Sequence, residues 1–194
     1  MAYFQNAAGD VLSINYFGME PDIGADVHDA DALRAFYRDA AESGGLAMVE
    51  VDPVSIAGLP AVRTVLKGRM EPHGLVFIAC FTLPFANCSY VFKIQSSEGG
   101  ITGMRESMIF ASLNVPIEAW QEDPYDPRHK ADFMRNRADS PEYDAQFPDH
   151  PLSKVRLYLD ELAEQIEVAP AVAAARPFKF REPRTRFWSR FWRK

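Results

Sequence analysis

The chain has 194 residues, of which 47% are apolar and 12% aromatic, and its net charge at pH 7 is −6. This composition is typical of one globular domain and excludes a collagen, a coiled coil and a mainly disordered chain. The two cysteines, Cys80 and Cys88, form no C-x-x-C pair, which excludes a disulfide framework and a redox or zinc motif visible in sequence. We interpret both as buried thiols that pack as small apolar side chains.

Charge is distributed unevenly along the chain. From Arg176 onward there are eight basic residues and one acid, so this part carries +7 and leaves −13 for residues 1–175 of a chain whose total is −6. An acidic body repels phosphate backbones, so we expect no nucleic-acid binding by the body. The N-terminus lacks the basic and apolar regions of a signal peptide, and no stretch approaches ~18 uninterrupted apolar residues, which predicts a cytoplasmic protein without a membrane span.

The first predicted elements are a β-hairpin and a helix. Residues 3–5 and 11–16 have strand character and flank a turn that contains glycine. A helix follows, with Asp29 or Asp31 as the predicted N-cap and Gly44 at the end. One face of this helix carries apolar side chains at helical spacing: Leu33, Phe36, Tyr37 and Ala40.

The pattern then changes to strands, which are predicted at residues 46–51, 61–67, 75–83 and 89–95. The short connections between successive strands favour antiparallel pairing. The strand at 75–83 is apolar almost throughout, which predicts a central position with both faces covered.

Two further helices are predicted in the second half of the chain. Residues 103–113 predict one, although 107–113 also fits a strand, and Pro151 begins another that ends before Pro170. Between them, residues 118–151 predict a long connection with one helical turn near 130–137. A connection of this length is either functional or held down by its aromatic residues, which are Trp120, Tyr125, Phe133, Tyr143 and Phe147.

These elements predict an α+β fold, with an antiparallel sheet of about six strands flanked by helices as an α/β/α sandwich. The predicted domain covers residues 1–168. Residues 169–194 are interpreted as a linker followed by a basic aromatic C-terminal tail, because residues 169–175 are mostly alanine.

Four segments resemble one known family. They are Gly-Leu-Pro-Ala-Val-Arg-Thr-Val-Leu-Lys at 58–67, Thr-Leu-Pro-Phe at 82–85, Ser-Tyr-Val-Phe-Lys-Ile-Gln at 89–95 and Gly-Ile-Thr-Gly-Met-Arg-Glu at 100–106. This pattern is similar to bacterial proteins of the PsbP-like fold, a group that also holds the Ran-binding Mog proteins and some secretion-associated chaperones. The resemblance covers residues 46–113, about a third of the chain. It implies an antiparallel sheet with helices on its faces, usually no enzymatic activity, and no catalytic residues to carry over.

No catalytic, cofactor-binding or metal-ligating residues are predicted. The chain has no G-x-S-x-G, no P-loop and no G-x-G-x-x-G. The histidines show no i, i+4 pair, so we interpret them as turn and cap residues. The alternative is that His129 and His150 cluster in space with aspartates of the long connection. The four histidines are His28, His73, His129 and His150.

Two pairs of residues in the matched region are candidates for a surface patch. Arg105 and Glu106 follow a glycine-rich turn, so they form either an anion or partner site at a helix N-terminus or an ion pair that fixes the turn. Phe85 and Tyr90 flank a hairpin tip, so they form either an exposed contact patch or core packing beneath a helix.

The C-terminal tail carries the largest candidate contact surface. Its aromatic residues fall at i, i+1, i+4 and i+5 and would share one helical face among arginines. Such a face suits an anionic membrane or a partner's groove; the alternatives are docking on the acidic body and an unstructured tail. The residues are Arg184, Arg186, Phe187, Trp188, Arg190, Phe191 and Trp192.

The sequence leaves three functional hypotheses. The first, which the resemblance supports, is a non-enzymatic binding or accessory protein of the chaperone, adaptor or immunity type, linked to a bacterial secretion or toxin system and acting on a protein partner. The second is a peripheral membrane protein anchored through the tail. The third is a hydrolase that uses carboxylates of the 118–151 connection, since acid–base chemistry needs one desolvated and one solvated carboxyl in a cleft.

Overall fold

The computed structural model describes residues 1–181, so the tail residues from Arg184 to Trp192 lie outside the described residues. The described part contains a six-stranded sheet in the order β1-β2-β6-β5-β4-β3, with every neighbouring pair antiparallel. The predicted α+β fold with an antiparallel sheet is confirmed. The strands are β1 (Ala2–Gln5), β2 (Val11–Phe17), β3 (Leu46–Ile56), β4 (Leu59–Arg69), β5 (Leu75–Pro84) and β6 (Ser89–Ser97).

Four α-helices accompany the sheet: α1 (Ala30–Ser43), α2 (Met104–Leu113), α3 (Pro151–Gln165) and α4 (Pro170–Ala173). The predicted limits of the first helix are confirmed, because the Asp29 carboxylate accepts a hydrogen bond from Ala32 N at 3.0 Å and Gly44 closes the C-terminus. Within residues 1–181 no helix is both long and apolar enough to cross a bilayer.

Helices lie on both faces of the sheet, because side chains alternate along each strand. Ala61 of β4 belongs to the core beneath α3, whereas its neighbour Val62 belongs to the core beneath α1. We call these two sides the α3 face and the α1 face. On the α3 face, α3 packs against β5 and β6. On the α1 face, α1 packs against β3, with Leu33 fully buried.

The predicted central strand is β5, which lies between β6 and β4. On the α3 face Phe77 and Ala79 are fully buried, but on the α1 face Ile78 and Cys80 are only half-buried. The prediction that both faces are covered therefore holds for the α3 face and only in part for the α1 face.

The long connection after α2 is held down by its aromatic residues, as one of the two sequence interpretations expected. Tyr125 accepts a hydrogen bond from Val51 N at 2.9 Å, and Trp120 packs edge-to-face against Phe110 with ring centroids 5.0 Å apart. The single turn predicted at 130–137 is not observed. Instead the connection contains three 3-10 helices, at Ile117–Ala119, Arg137–Asp139 and Pro141–Gln146.

The segment from 169 to 178, predicted as a linker, is packed against the domain. Ala86 N donates to Arg176 O at 2.9 Å, Phe85 forms a β-bridge with Pro177, and Phe178 is buried beneath α1. The alanine-rich composition indicated a spacer, but the proline-initiated α4 and the apolar side chains that follow it bring this segment back onto the body. The domain therefore extends at least as far as Phe178.

Candidate functional site

The structure places two of the four residues of the predicted surface patch in the interior. Phe85 is 3% exposed and lies in the core of the α3 face, and Arg105 is 0% exposed. The exposed patch at Phe85 and the anion site at Arg105 are therefore corrected to their alternatives, core packing and the fixing of a turn. Tyr90 is half-buried between Phe85 and Tyr16, with ring centroids 6.2 Å and 5.1 Å away. Glu106 is half-buried.

Arg105 joins α2 to the long connection. Its guanidinium donates to Ala138 O at 2.7 Å, to Ser140 O at 3.0 Å and to Ser153 Oγ at 2.7 Å. A buried guanidinium is tolerated only when its donors are satisfied, and here they are satisfied from three directions. All of these contacts are internal, so Arg105 is a structural residue.

A cluster of three titratable side chains lies where the N-termini of α2 and α3 meet. Glu98 caps α2 by accepting from Gly103 N at 2.9 Å, and it also accepts from Leu75 N at 2.8 Å. His150 precedes α3 and accepts from Leu152 N through Nδ1 at 3.2 Å. Its Nε2 lies 3.8 Å from a Glu98 oxygen and 3.9 Å from a Glu106 oxygen.

The two carboxylates have pKa values shifted in opposite directions. Burial raises the pKa of Glu106, and the negative charges of Asp139 and Glu98 add to this. Burial also acts on Glu98, but the nearby His150 side chain and the backbone hydrogen bonds from Gly103 and Leu75 outweigh it and lower its pKa. Opposed shifts of this kind are a feature of acid–base pairs in active sites.

The burial of the cluster's polar atoms and the tautomer of the His150 ring argue against catalytic or metal chemistry at this cluster. Both Glu106 oxygens and His150 Nε2 are buried, so a substrate has no path to them in this arrangement. The three ligand atoms lie within 4.8 Å of one another, as in a metal centre. However, Leu152 N–H requires an unprotonated Nδ1, so the neutral ring carries its proton on Nε2, which then donates instead of ligating.

Two buried carboxylates of the long connection are bound to basic residues. Asp123 receives two hydrogen bonds from Arg38, at 2.7 and 2.8 Å, and Asp139 pairs with Lys67 at 2.5 Å. The cavity beside Asp123 has a volume of only about 10 Å³. Of the histidines, His129 contacts Glu42, and His150 contacts the two glutamates, so the aspartate cluster left open in the sequence is not formed by these residues.

An apolar groove lies between the β1–β2 hairpin and α3, and we call it the α3 groove. Its volume is about 310 Å³. Phe4 lies opposite Leu12, and Leu12 lies opposite Ile94, so these three side chains form a row on the α3 face. Leu162 and Glu161 of α3 form the opposite wall.

The end of the groove is fixed by Asp10. Its carboxylate accepts from Lys154 Nζ at 2.8 Å and from Tyr158 at 3.1 Å, and Ser96 also donates to it. Burial alone would raise the pKa of Asp10, but hydrogen bonds from Lys154, Ser96 and Asn6 outweigh it and lower the pKa to about 2. These bonds hold the hairpin turn to α3 and keep the groove open at a fixed width.

The two edges of the sheet differ in protection. At β3, Val51 N donates to Tyr125 and Val51 O accepts from Arg34 at 3.2 Å, so side chains cover this edge. At β1 all four residues are exposed, and no strand among residues 1–181 pairs with its outer side. Asn6 N donates to Asp10 O, so the backbone groups of Asn6 face β2. Because backbone groups alternate in direction along a strand, those of Tyr3 and Gln5 point away from β2, towards the free edge. An uncharged free edge of this kind is a template for another strand.

Large apolar side chains are concentrated at this free edge. On the α3 face Phe4 is 57% and Tyr16 58% exposed, and on the α1 face Tyr3 is 58% and Phe17 47% exposed. The sequence predicted the hairpin but did not indicate this surface. Consecutive aromatics, Tyr3-Phe4 and Tyr16-Phe17, place one ring on each face of a strand, and this was the available signal.

Comparison with known proteins leaves the chain without an assigned relative. No family model matches it, and no curated protein matches it. The resemblance to the PsbP-like fold therefore stays a prediction from sequence motifs.

Proposed function

We propose that this protein is a non-enzymatic binding or accessory protein that holds an extended segment of a partner protein along β1 and the α3 groove. One observation carries the proposal: the unpaired strand β1 borders an apolar groove lined by Phe4, which is 57% exposed, and Tyr16 on the same face of the neighbouring strand is 58% exposed. The likeness of residues 46–113 to a group that includes secretion-associated chaperones supports a role of this class.

The energetics favour an added strand at this edge. A partner strand would satisfy the outward backbone groups of Tyr3 and Gln5, which main-chain recognition by strand addition requires. Its alternate side chains would enter the groove and cover Phe4 and Tyr16. Burial of aromatic side chains contributes about 1.5–3 kcal/mol each when complete, so two half-exposed rings contribute a few kcal/mol.

The net charge of the body defines the chemistry of the partner. Residues 1–175 carry −13 in a chain whose total is −6. An acidic body attracts a basic segment and repels an acidic one. The proposed partner segment therefore alternates apolar residues with lysine or arginine.

Fluorescence anisotropy with the full chain tests this. The probe is a labelled peptide of ~ten residues in which Phe or Val alternates with Lys, and its control carries Glu at the Lys positions. We expect the Lys peptide to bind saturably and the Glu peptide to bind at least about tenfold more weakly.

Matched double variants locate the surface. Phe4→Ser with Tyr16→Ser removes rings on the α3 face, and Tyr3→Ser with Phe17→Ser removes rings on the opposite face of the same hairpin. We expect the first variant to weaken binding by about tenfold or more and the second by less than about twofold. Absence of saturable binding by the Lys peptide, or equal losses in both variants, would overturn the proposal.

The alternative of a peripheral membrane protein rests on tail residues outside the described part of the chain, so it stays a prediction from the sequence. Liposome flotation of the full chain and of a variant truncated after Arg181 tests it. Equal flotation of both proteins would contradict a role of the tail in membrane binding.

A further inference from the structure

We propose that Glu98, Glu106 and His150 form a pH-sensitive latch between α2 and α3, closed when Glu106 holds a proton and loosened when that proton leaves. This device is separate from the α3 groove and does not depend on the proposed partner. The proposal rests on the burial of Glu106, on the charged groups that face it, and on the lack of hydrogen-bond donors to its oxygens from other residues in the described part of the chain.

Glu106 occupies the first turn of α2 with its side chain 16% exposed. Among residues 1–181 no residue other than Glu106 itself donates a hydrogen bond to either of its carboxylate oxygens. A buried ionised carboxylate without donors carries a full desolvation cost, whereas the neutral acid avoids most of it. The position therefore favours the protonated form of Glu106.

Two negative charges that face Glu106, those of Asp139 and Glu98, also raise its pKa, whereas His150 acts in the opposite direction. Glu98 approaches from the β6–α2 connection, Asp139 from the 3-10 helix Arg137–Asp139, and His150 from the start of α3. Two cations lie close by but are committed elsewhere: Lys67 of β4 to Asp139, and Arg105 of α2 to Ala138, Ser140, Ser153 and Asp144. His150 is the remaining basic side chain at this cluster, and its Nδ1 is occupied by the hydrogen bond from Leu152 N.

The cap of α3 depends on an unprotonated Nδ1 of His150. Protonation of Nδ1 would end its hydrogen bond from Leu152 N and remove the cap of α3. The neutral ring offers one donor, Nε2–H, to two carboxylates at 3.8 and 3.9 Å. A single proton on Glu106 removes the repulsion with Glu98 and adds a second donor, which closes the contact between the two helices.

The direction of the pH effect follows from linkage. The pKa of Glu106 is raised by burial above its ordinary value of 4.5, so the folded state binds the proton more tightly than the unfolded state. Stability from this group is complete below that ordinary value and is lost as pH rises through the raised pKa. The latch therefore loosens on the alkaline side of the ordinary carboxyl range.

Loosening would widen an existing cleft. A cavity of about 510 Å³ lies between the N-termini of α2 and α3 and is lined by apolar residues of both sides, among them Met104, Phe147 and Pro148. Ile101, which precedes α2, and Met108 within α2 are also exposed. Release of α2 would therefore expose apolar surface that the latch holds in place.

The test uses the full chain in two measurements. Carbon-detected NMR follows the side-chain carboxyl carbons from about pH 3 to about pH 9, and amide hydrogen exchange follows α2 over the same range after correction for the intrinsic rate. We expect the Glu106 carboxyl to titrate above the exposed Glu118 carboxyl, and protection of α2 to fall with the same midpoint.

Substitution supplies the control. Glu106→Gln should keep α2 protected at all pH values, whereas Glu118→Gln, at an exposed position just beyond α2, should retain the wild-type pH dependence. Titration of Glu106 together with Glu118, or an unchanged pH dependence of α2 exchange in Glu106→Gln, would overturn the proposal. If Glu106→Gln folds poorly, the NMR titration of the Glu106 carboxyl in the wild-type protein still tests the proposal.

Discussion

Lys67 Nζ lies 2.5 Å from Asp139 Oδ2, and the two side chains are 1% and 0% exposed. The pair connects β4 to the 3-10 helix Arg137–Asp139, which are 72 residues apart in sequence. The same Asp139 oxygen accepts from Asn136 N at 2.8 Å. Buried charges of this kind, together with Arg105, fix the long connection against the sheet, so its geometry depends on a few polar contacts.

Removal of one member of the pair should be costly. Lys67→Met leaves the Asp139 charge buried without its partner, and we expect a loss of about 3–5 kcal/mol in the free energy of unfolding, measured by urea denaturation. Lys67→Met with Asp139→Leu should recover part of that loss, because no isolated charge remains although Asn136 N loses its acceptor. A double variant as unstable as the single one would contradict this account.

Arg105→Lys should loosen the long connection although it keeps the charge. An ammonium cannot reproduce the fork that reaches Ala138, Ser140 and Ser153, so we expect a loss of about 2–4 kcal/mol and faster proteolytic cleavage within residues 137–150. Arg128→Lys, at an exposed position in the same connection, is the control and should leave both measurements unchanged.

Asp10→Asn should weaken the attachment of the hairpin to α3. The pKa of Asp10 is lowered from 3.8 to about 2, so its stabilising effect is complete above the ordinary value and is lost as pH falls through the folded value. We expect a cost of ~1–2 kcal/mol at neutral pH, reduced for partial solvent exposure. Thermal unfolding should show the variant and the wild type converging towards the acid end. A constant difference across the pH range would exclude this linkage.

Cys80 should react slowly with alkylating reagents in the folded protein. Burial raises the pKa of its thiol to about 11, so the thiolate is scarce at neutral pH. In a Cys88→Ser variant, which leaves one thiol, we expect labelling by iodoacetamide at least about tenfold faster in urea than in native buffer. Equal rates in both conditions would show that the thiol is accessible.

Local sequence signals predicted the elements well. The N-cap at Asp29 and the end at Gly44 needed only neighbouring residues, and strand alternation placed four of the six strands correctly between residues 46 and 97. The connection after α2 was harder. Its three 3-10 helices depend on contacts such as Arg105 with Ala138, which no local pattern encodes.

The candidate site was less predictable than the fold. Phe85 sits at a hairpin tip, where exposure is common, but the segment that leads to Pro177 packs beside it and buries it. Phe4 appeared as an ordinary strand residue, yet it projects beyond the reach of α3 and remains 57% exposed. In both cases exposure was set by residues distant in sequence.

By itself, the sequence determined the α+β class, the order of the elements and the acidic body with a basic C-terminal part, because periodicity, capping and charge are local or additive properties. Only the tertiary structure decided which surfaces remain free. The α3 groove joins Phe4 to Leu162, and the latch joins Glu98 to His150. Such surfaces arise from packing across long sequence distances, where burial depends on which elements meet and not on the residues of any one element.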